Sequence, residues 1–128
     1  MAKLLESVPV FPVGDIGATM QWYSAVLGFD ADAVPRNPPH AFCILTKDNV
    51  RIFLQQVTGY QKPDLYEKRE GGVWSVYLQT DSVRELFQKL SQRADVTILE
   101  PLHHQEYGQT EFVIRDPNGY ALVLAQRD

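Results

Sequence analysis

Residues Asp15–Gly28, "DIGATMQWYSAVLG", contain the pattern that decides the fold. Asp15 is a favourable N-cap residue, and Gly28 is the residue type that most often ends a helix. Between them, apolar residues recur with spacings of four, three and four, at Ile16, Met20, Tyr23 and Leu27. This spacing predicts an amphipathic α-helix with one buried stripe.

The same helical pattern occurs again 67 residues later, from Ile16 to Val83. Ser82 is the N-cap candidate of this second helix, and Glu85, three residues further on, completes a capping box. The apolar stripe repeats the four, three, four spacing at Val83, Phe87, Leu90 and Ala94. The chain therefore contains an internal repeat.

Strand-like runs flank each predicted helix, one before it and three after it. The runs before the helices are residues 7–13 and 73–79, and those after them are residues 29–34, 41–46, 50–57, 95–100, 110–115 and 121–126. Turn residues such as Asp116–Gly119 separate the runs. This order predicts an α+β fold of two βαβββ modules, about residues 5–57 and 73–126. We interpret residues 58–72 between them as a surface linker rather than structure.

Each module alone is too small to be stable, because one helix covers only one face of a four-stranded sheet. We therefore expect the two sheets to associate into a curved eight-stranded mixed sheet around a cleft. A chain of 128 residues, 45% hydrophobic, is long enough for one such compact domain.

Alternation along the predicted strands indicates which side chains face the cleft. In residues 73–79, the apolar side chains of Trp74, Val76 and Leu78 are expected to face the helix. The same reasoning assigns to the cleft Phe42, Ile44, Thr46, Arg51, Phe53, Gln55, Ser75, Tyr77, Gln79, Glu111, Val113, Arg115, Ala121, Val123 and Ala125. Aromatic and aliphatic walls with a few polar groups are typical of small-molecule sites.

The charge and cysteine content restrict the class of partner. A net charge of −4 and a pI near 5.3 argue against nucleic acid, which requires concentrated Lys and Arg. The single cysteine permits no disulfide within the chain, and no apolar run is long enough to cross a membrane. We expect a cytoplasmic protein with no nucleic-acid or membrane partner.

Several chemistry-bearing residues have structural alternatives. His103 and His104 are adjacent, so their side chains diverge, and we interpret them as surface-loop residues rather than a chelating pair. Cys43 is expected to be a small buried hydrophobic residue. Glu111 and Arg115 share one strand face. Either the two side chains form a structural ion pair, or the Glu111 carboxylate contacts a ligand.

Two stretches, "VGDIGATMQWYSAVLGF" at residues 13–29 and "YGQTEFVIRDPNGYALVLA" at residues 107–125, carry a family resemblance. With the paired strand, helix, three-strand modules, the chain resembles the glyoxalase, bleomycin resistance and extradiol dioxygenase superfamily, also called vicinal oxygen chelate. The resemblance covers essentially the whole chain. Residues 1–15, Trp22, Leu27–Phe29 and "EFVIRDPNG" look most similar to the bleomycin resistance proteins.

The resemblance implies four metal positions in the catalytic members of the superfamily. In this chain they fall on Val8, Phe53, Ser75 and Val123. Three apolar side chains and one hydroxyl offer neither the charge nor the donor atoms that a divalent ion requires. We therefore expect no metal and no other cofactor.

The resemblance also implies how a ligand would be bound. It places aromatic groups that line a drug groove at Phe42, Tyr77 and Tyr107, and it implies a homodimer whose amino-terminal strand, which includes Pro9, is exchanged between subunits. A proline fits an edge or hinge of a strand. Taken together, the expected ligand-binding residues are Phe42, Phe53, Ser75, Tyr77, Tyr107 and Glu111.

The leading hypothesis is a metal-free binding protein that sequesters an aromatic or cationic small molecule, such as a glycopeptide antibiotic, in a dimer cleft. The alternative is a superfamily enzyme, resembling a lyase, isomerase or dioxygenase, that acts on a small metabolite with a nonstandard or absent metal site. Glu111 is the one cleft carboxylate that could serve it as general base. A third hypothesis is a regulatory or interaction module with a vestigial cleft.

Overall fold

The computed structural model describes all 128 residues and divides them into two compact units, Met1–Tyr60 and Gln61–Asp128. Each unit contains one four-stranded mixed sheet and one α-helix. The order strand, helix, three strands that the sequence predicts for each half is confirmed. Neither helix has the length and apolar character needed to span a membrane.

The first unit consists of β1 (Val10–Val13), α1 (Ile16–Leu27), β2 (Asp30–Val34), β3 (Phe42–Lys47) and β4 (Val50–Gln56). Its strands lie in the order β1-β4-β3-β2, with β1 parallel to β4 and the other pairs antiparallel. Alternate side chains of β3 and β4 are fully buried, namely Cys43, Leu45, Ile52 and Leu54. The predicted core face of these strands, including buried Cys43, is confirmed.

Helix α1 begins and ends where the sequence predicts. The Asp15 carboxylate accepts a hydrogen bond from the backbone N–H of Ala18 at 3.0 Å. Gly28 ends the helix in a left-handed conformation, with φ of 75°, which a residue without a Cβ adopts readily. The buried residues of the helix are Ile16, Thr19, Tyr23 and Val26, whereas Met20 and Leu27 are half-buried. The buried stripe is therefore rotated slightly from the predicted one.

The second unit consists of β5 (Val76–Gln79), α2 (Val83–Ser91), β6 (Thr97–Gln105), β7 (Gln109–Arg115) and β8 (Ala121–Arg127). Its strands lie in the order β5-β8-β7-β6, the same topology as in the first unit. Phe112, Ile114, Leu122 and Leu124 are buried on one face, and the Phe112 ring lies 5.1 Å from that of Phe87 in α2. This assignment of the core face is also confirmed.

The start of α2 differs from the predicted capping box. The Ser82 hydroxyl makes no cap hydrogen bond and instead donates to Asp81 at 2.9 Å. The first backbone N–H of the helix, that of Val83, donates to the side-chain oxygen of Gln126 at 3.0 Å. The capping-box prediction is therefore wrong, and so is the predicted extension to Ala94, because the helix ends at Ser91.

Strand β6 is longer than predicted and includes both histidines of the pair. It runs to Gln105, so His103 and His104 lie in a strand and not in a surface loop, and that interpretation is wrong. Register irregularities between Ile98 and His103 interrupt the period-two pattern from which strands are recognised. The two side chains do diverge: His103 Nε2 is 3.9 Å from Glu111, and His104 Nε2 is 2.6 Å from Asp128.

The segment interpreted as a structureless linker contains a short 3₁₀ helix, Tyr66–Lys68. The Tyr66 ring packs on the face of the second sheet that carries Val113, Ala121, Val123 and Ala125, and Tyr77 and Leu99 pack there too. Those four side chains are at most 2% exposed. The segment is therefore part of the packing of the second unit, and the side chains it helps to cover are buried rather than open to solvent.

Candidate functional site

A buried carboxylate, Glu111 on β7, is the centre of the candidate site. Its side chain is fully buried, and each of its oxygens accepts a short hydrogen bond. The hydroxyl of Tyr77 donates to Oε2 at 2.6 Å, and the hydroxyl of Tyr107 donates to Oε1 at 2.6 Å. Charge-assisted hydrogen bonds of this length are among the strongest in proteins.

Two further polar side chains complete the group. Gln105 donates from Nε2 to Oε1 of Glu111 at 3.1 Å, and the same nitrogen lies 2.9 Å from His103 Nε2. We call these five residues, Glu111, Tyr77, Tyr107, Gln105 and His103, the Glu111 cluster. It contains no lysine or arginine, and the groups that donate hydrogen bonds to the carboxylate are two hydroxyls and one amide.

The strand order brings these residues together. Tyr77 on β5 is paired with Val123 of β8, and Glu111 on β7 is paired with Ala125 of β8, so the two side chains lie on one sheet face with β8 between their strands. Tyr107 reaches Glu111 from the turn between β6 and β7, which Gly108 closes with φ of 88°. His103 is directly opposite Glu111 in the ladder.

Burial and the neighbouring carboxylate together raise the pKa of both tyrosines. Burial, followed by the hydrogen bond to Glu111 and its charge, raises the pKa of Tyr107 to about 12. The same causes in the same order raise the pKa of Tyr77 further above its ordinary value. Both phenols therefore keep their protons throughout the neutral pH range and remain hydrogen-bond donors to Glu111.

Trp74 adds an aromatic surface on a face that strand alternation predicts incorrectly. It was expected to face the helix, but it precedes β5, is 37% exposed, and its ring lies 5.6 Å from that of Tyr77. Its indole N–H donates to the Gly71 carbonyl oxygen at 3.2 Å. Alternation predicts side-chain direction only inside a regular strand, and Trp74 lies outside one.

The structural ion pair considered for Glu111 and Arg115 is not formed. Arg115 Nη2 pairs instead with Asp64 Oδ2 at 3.0 Å, while Glu111 is bonded to the tyrosines and Gln105. Residues four apart along an extended strand are separated by about 13 Å, too far for a direct contact. The ion-pair alternative is therefore wrong, and Glu111 belongs to a different polar group from Arg115.

The remaining predicted site residues lie as follows. Ser75 precedes β5, where its backbone N–H donates to the Ala121 carbonyl at 2.8 Å and its hydroxyl oxygen accepts from the Ala121 N–H at 3.1 Å. In the first unit, the Phe42 and Phe53 rings are 5.2 Å apart in an edge-to-face arrangement. The structure thus brings together Tyr77, Tyr107 and Glu111 in one cluster, and Phe42 and Phe53 in a pair.

The residues at the four implied metal positions do not suit a divalent ion. In the first unit these are half-buried Val8 and the ring of Phe53, and in the second they are Ser75 and fully buried Val123. The single hydroxyl among them already accepts a backbone hydrogen bond. No group of three or more His, Cys, Asp or Glu side chains lies close enough to hold a metal elsewhere in the structure.

Several solved structures share this fold. TioX from Micromonospora sp. ML1 is 19% identical, with a TM-score of 0.74 over 94% of this chain and 97% of that one. The bleomycin-binding protein from Streptomyces verticillus, complexed with copper(II)-bleomycin, is 18% identical, with a TM-score of 0.70 over 100% of both chains. A glyoxalase-related enzyme from Clostridium phytofermentans is 14% identical, with a TM-score of 0.75 over 99% and 98% of the two chains.

The match at the level of sequence families agrees with the fold. No sequence among curated proteins matches the chain significantly. The family model described as Glyoxalase/Bleomycin resistance protein/Dioxygenase superfamily matches residues 7–124. This match spans both βαβββ units, so the chain belongs to the glyoxalase, bleomycin resistance protein and dioxygenase superfamily, with the vicinal oxygen chelate fold that the family resemblance implies.

Proposed function

We propose that the protein binds and sequesters a small aromatic or cationic molecule without converting it. The observation that carries this proposal is the group of partly exposed aromatic rings, Trp74, Tyr77 and Tyr107, in contact with one another or with the buried carboxylate of Glu111. Flat rings with polar edges bind planar ligands by stacking and burial.

The electrostatics of the group favour a positive ligand. Glu111 is buried and has no lysine or arginine partner, so its charge is only partly offset by the tyrosine and Gln105 dipoles. A charge in a low-dielectric environment acts over a longer distance than one in water. The net charge of −4 adds a field of the same sign.

The structural likeness supports a small-molecule ligand of the antibiotic class. The Streptomyces verticillus protein with the same fold was solved with copper(II)-bleomycin bound. By analogy, a glycopeptide antibiotic is a candidate ligand for this chain, and antibiotic resistance by sequestration is the corresponding biological role. Sequestration requires only tight binding, which agrees with a site built from aromatic rings.

Tryptophan fluorescence tests the proposal directly. Trp74 lies in the candidate site, whereas Trp22 lies in α1 of the first unit, next to Tyr23. Titration with bleomycin and with flat cationic dyes should give saturable quenching in the native protein and in the Trp22→Phe variant. The Trp74→Phe variant should lose most of that signal. If none of the ligands quenches the native protein or raises its melting temperature, the proposal is wrong.

The enzymatic alternative depends on Glu111 as general base. Its side chain is fully buried behind the tyrosines that donate to it, so a substrate does not reach either oxygen directly in this arrangement. This arrangement favours binding over catalysis. Elemental analysis provides the opposing test: stoichiometric nickel, zinc, iron or manganese that survives dialysis would contradict the binding-only proposal.

We also propose that the protein is a homodimer, with the amino-terminal strand exchanged between subunits. Residues 1–9 lie outside any strand, and Leu4 and Leu5 are fully exposed in the single chain. Two adjacent exposed leucines are consistent with burial against a second copy. Sedimentation equilibrium should give twice the chain mass of 14.6 kDa, and deletion of residues 1–8 should shift it towards the monomer.

A further inference from the structure

The hydroxyl protons of the Glu111 cluster have a fixed direction. An ionised carboxylate only accepts hydrogen bonds, so Tyr77 and Tyr107 must each donate their single hydroxyl proton to Glu111 across 2.6 Å. Each tyrosine oxygen then has only lone pairs left for another partner. Donation to a carboxylate also polarises the hydroxyl and makes its oxygen a stronger acceptor.

The neighbouring histidine makes no direct hydrogen bond to the carboxylate, because His103 Nε2 is 3.9 Å from Glu111 Oε1. His103 Nδ1 lies 2.7 Å from the Pro101 carbonyl oxygen and must carry a proton there. Gln105 Nε2 lies 2.9 Å from His103 Nε2 and donates to Glu111 Oε1 at 3.1 Å, so the glutamine bridges the histidine and the carboxylate. No lysine or arginine pairs with Glu111, and its direct partners are two hydroxyl groups and one amide.

A ligand reaches the tyrosines rather than the carboxylate. Glu111 is 0% exposed, whereas Tyr107 is 56% exposed and Trp74 is 37% exposed. Tyr77 is half-buried, and its ring lies 5.6 Å from that of Trp74, so the charge lies behind aromatic side chains that include an indole face, which attracts cations. Raised tyrosine pKa values agree with this, because the phenolic protons stay in place.

We propose that Tyr77, Tyr107 and Glu111 form a subsite selective for a cationic hydrogen-bond donor, such as an amidinium, guanidinium or ammonium group attached to a flat ring. Glu111 determines this specificity without touching the ligand, because it orients both hydroxyl protons inward. This inference rests on the proposed binding function and specifies the chemical class of its ligand.

Three probes of equal size and shape test the selectivity: benzamidine, benzamide and benzoate. Titration of the native protein, followed by Trp74 fluorescence, should show benzamidine binding at least about tenfold more tightly than the other two. That factor corresponds to about one hydrogen bond to a charged group. Equal affinity for benzamidine and benzoate, or no binding of benzamidine, overturns the inference.

The Glu111→Gln variant tests the role of the carboxylate. The glutamine amide donates to one of the tyrosine oxygens, so that hydroxyl turns outward and becomes a donor. The preference for benzamidine over benzoate should fall by about tenfold or reverse. The matched control is Glu106→Gln in the adjacent turn, which removes one charge from an exposed side chain and should keep the native preference. An unchanged preference in Glu111→Gln overturns the inference.

The Tyr107→Phe variant keeps the test decisive if Glu111→Gln does not fold. It retains an exposed ring but loses one accepting oxygen, so benzamidine affinity should fall several-fold, while the affinity for benzoate, which has no donor, should not fall. A loss that is equal for all probes contradicts the inference. The failure of the binding function itself would be distinguishable, because bleomycin and the aromatic dyes would then fail to quench Trp74 as well.

Discussion

Phe42 in the first unit and Glu111 in the second occupy equivalent positions in their sheets. Phe42 on β3 is paired with Gln55 on β4, and Glu111 on β7 is paired with Ala125 on β8. Two residues before Gln55, Phe53 pairs with Val10 on the parallel strand β1. Two residues before Ala125, Val123 pairs with Tyr77 on the parallel strand β5. One topology therefore holds an aromatic ring in one copy and a buried carboxylate in the other.

The neighbours of these two residues differ in the same way. Val10 stands in the first unit where Tyr77 stands in the second, each paired with the corresponding residue of the last strand. Val34, opposite Phe42, corresponds to His103, opposite Glu111. The repeat thus preserves backbone pairing while its side chains diverge, and polar groups at three adjacent positions of the second unit support one another.

The largest expected difference between the units is the loss in free energy of unfolding when Glu111 or its counterpart Phe42 is replaced by leucine. Glu111→Leu leaves two tyrosine hydroxyls and the Gln105 amide without their acceptor, and should cost about 3 kcal/mol. Phe42→Leu only replaces a half-buried ring by a smaller apolar side chain and should cost about 1 kcal/mol. Urea unfolding of both variants measures the difference.

A second substitution separates lost bonds from altered packing at Glu111. Adding Tyr77→Phe to Glu111→Leu removes one unsatisfied hydroxyl, so the double variant should be more stable than the sum of the single effects implies. Strict additivity would show that the Tyr77–Glu111 hydrogen bond contributes little.

The next largest effect compares two glycines with left-handed backbone, Gly59 in the first unit and Gly72 in the second, with φ of 82° and 87°. A Cβ at Gly59 meets nothing within 4 Å, whereas one at Gly72 overlaps the Tyr66 ring. Gly59→Ala should cost about 1 kcal/mol of backbone strain. Gly72→Ala should cost about 1 kcal/mol more, because Tyr66 must leave its packing position.

Equal losses in free energy of unfolding for the two glycine variants would show that the Tyr66 ring moves aside freely. A matched Tyr66→Ala background supplies the control, because Gly72→Ala should there cost about as much as Gly59→Ala. Thermal or urea unfolding of the native protein, the two glycine variants, Tyr66→Ala and the Tyr66→Ala/Gly72→Ala double variant gives the comparison.

A smaller effect distinguishes the starts of the two helices. Asp15 accepts a capping bond in α1, while Ser82 makes none in α2. Asp15→Ala should therefore cost about 1 kcal/mol, and Ser82→Ala less than about 0.5 kcal/mol. A large loss in Ser82→Ala would mean that the hydroxyl caps α2 in solution.

The smallest effect is a change of stability with alkaline pH that originates in the second unit. Tyr107 has a pKa of about 12 when folded, against 10.0 ordinarily, so the folded chain binds the phenolic proton more tightly than the unfolded chain. The resulting stabilisation is complete below about pH 10 and is lost as the pH rises through about 12. Urea midpoints in this range should fall less steeply for Tyr107→Phe than for the native protein. Parallel curves would contradict the assignment.

Local sequence patterns predicted the elements that depend on near neighbours. Asp15 and Gly28 bound α1 because their roles need only the adjacent turn of backbone. The "DPNG" turn forms for the same reason, since Asp116 Oδ1 accepts from the N–H of Asn118 at 2.8 Å and of Tyr120 at 2.9 Å. Alternation correctly separated Phe112 from Glu111 because β7 is a regular strand.

Patterns failed where a distant residue determines the outcome. Gln126, 43 residues from Val83, replaces Ser82 as the partner of the first helical N–H, and Gln56 contacts Ile16 at 2.8 Å in the same way. The shared glutamine at the end of each last strand is a repeat signal that could have revealed this. Trp74 and the histidine pair were misplaced because strand boundaries and bulges do not follow from alternation.

By itself, the sequence determined the two-fold repeat, the order of elements and the identity of the buried faces, because these follow from hydrophobic periodicity and local turn chemistry. It also placed Tyr77, Tyr107 and Glu111 among the candidate site residues. Only the tertiary structure decided that these three share one hydrogen-bonded cluster, since residues 34 positions apart, as Tyr77 and Glu111 are, meet through strand pairing. Which side chain donates and which accepts the hydrogen bond depends on that contact and on the exclusion of water around it.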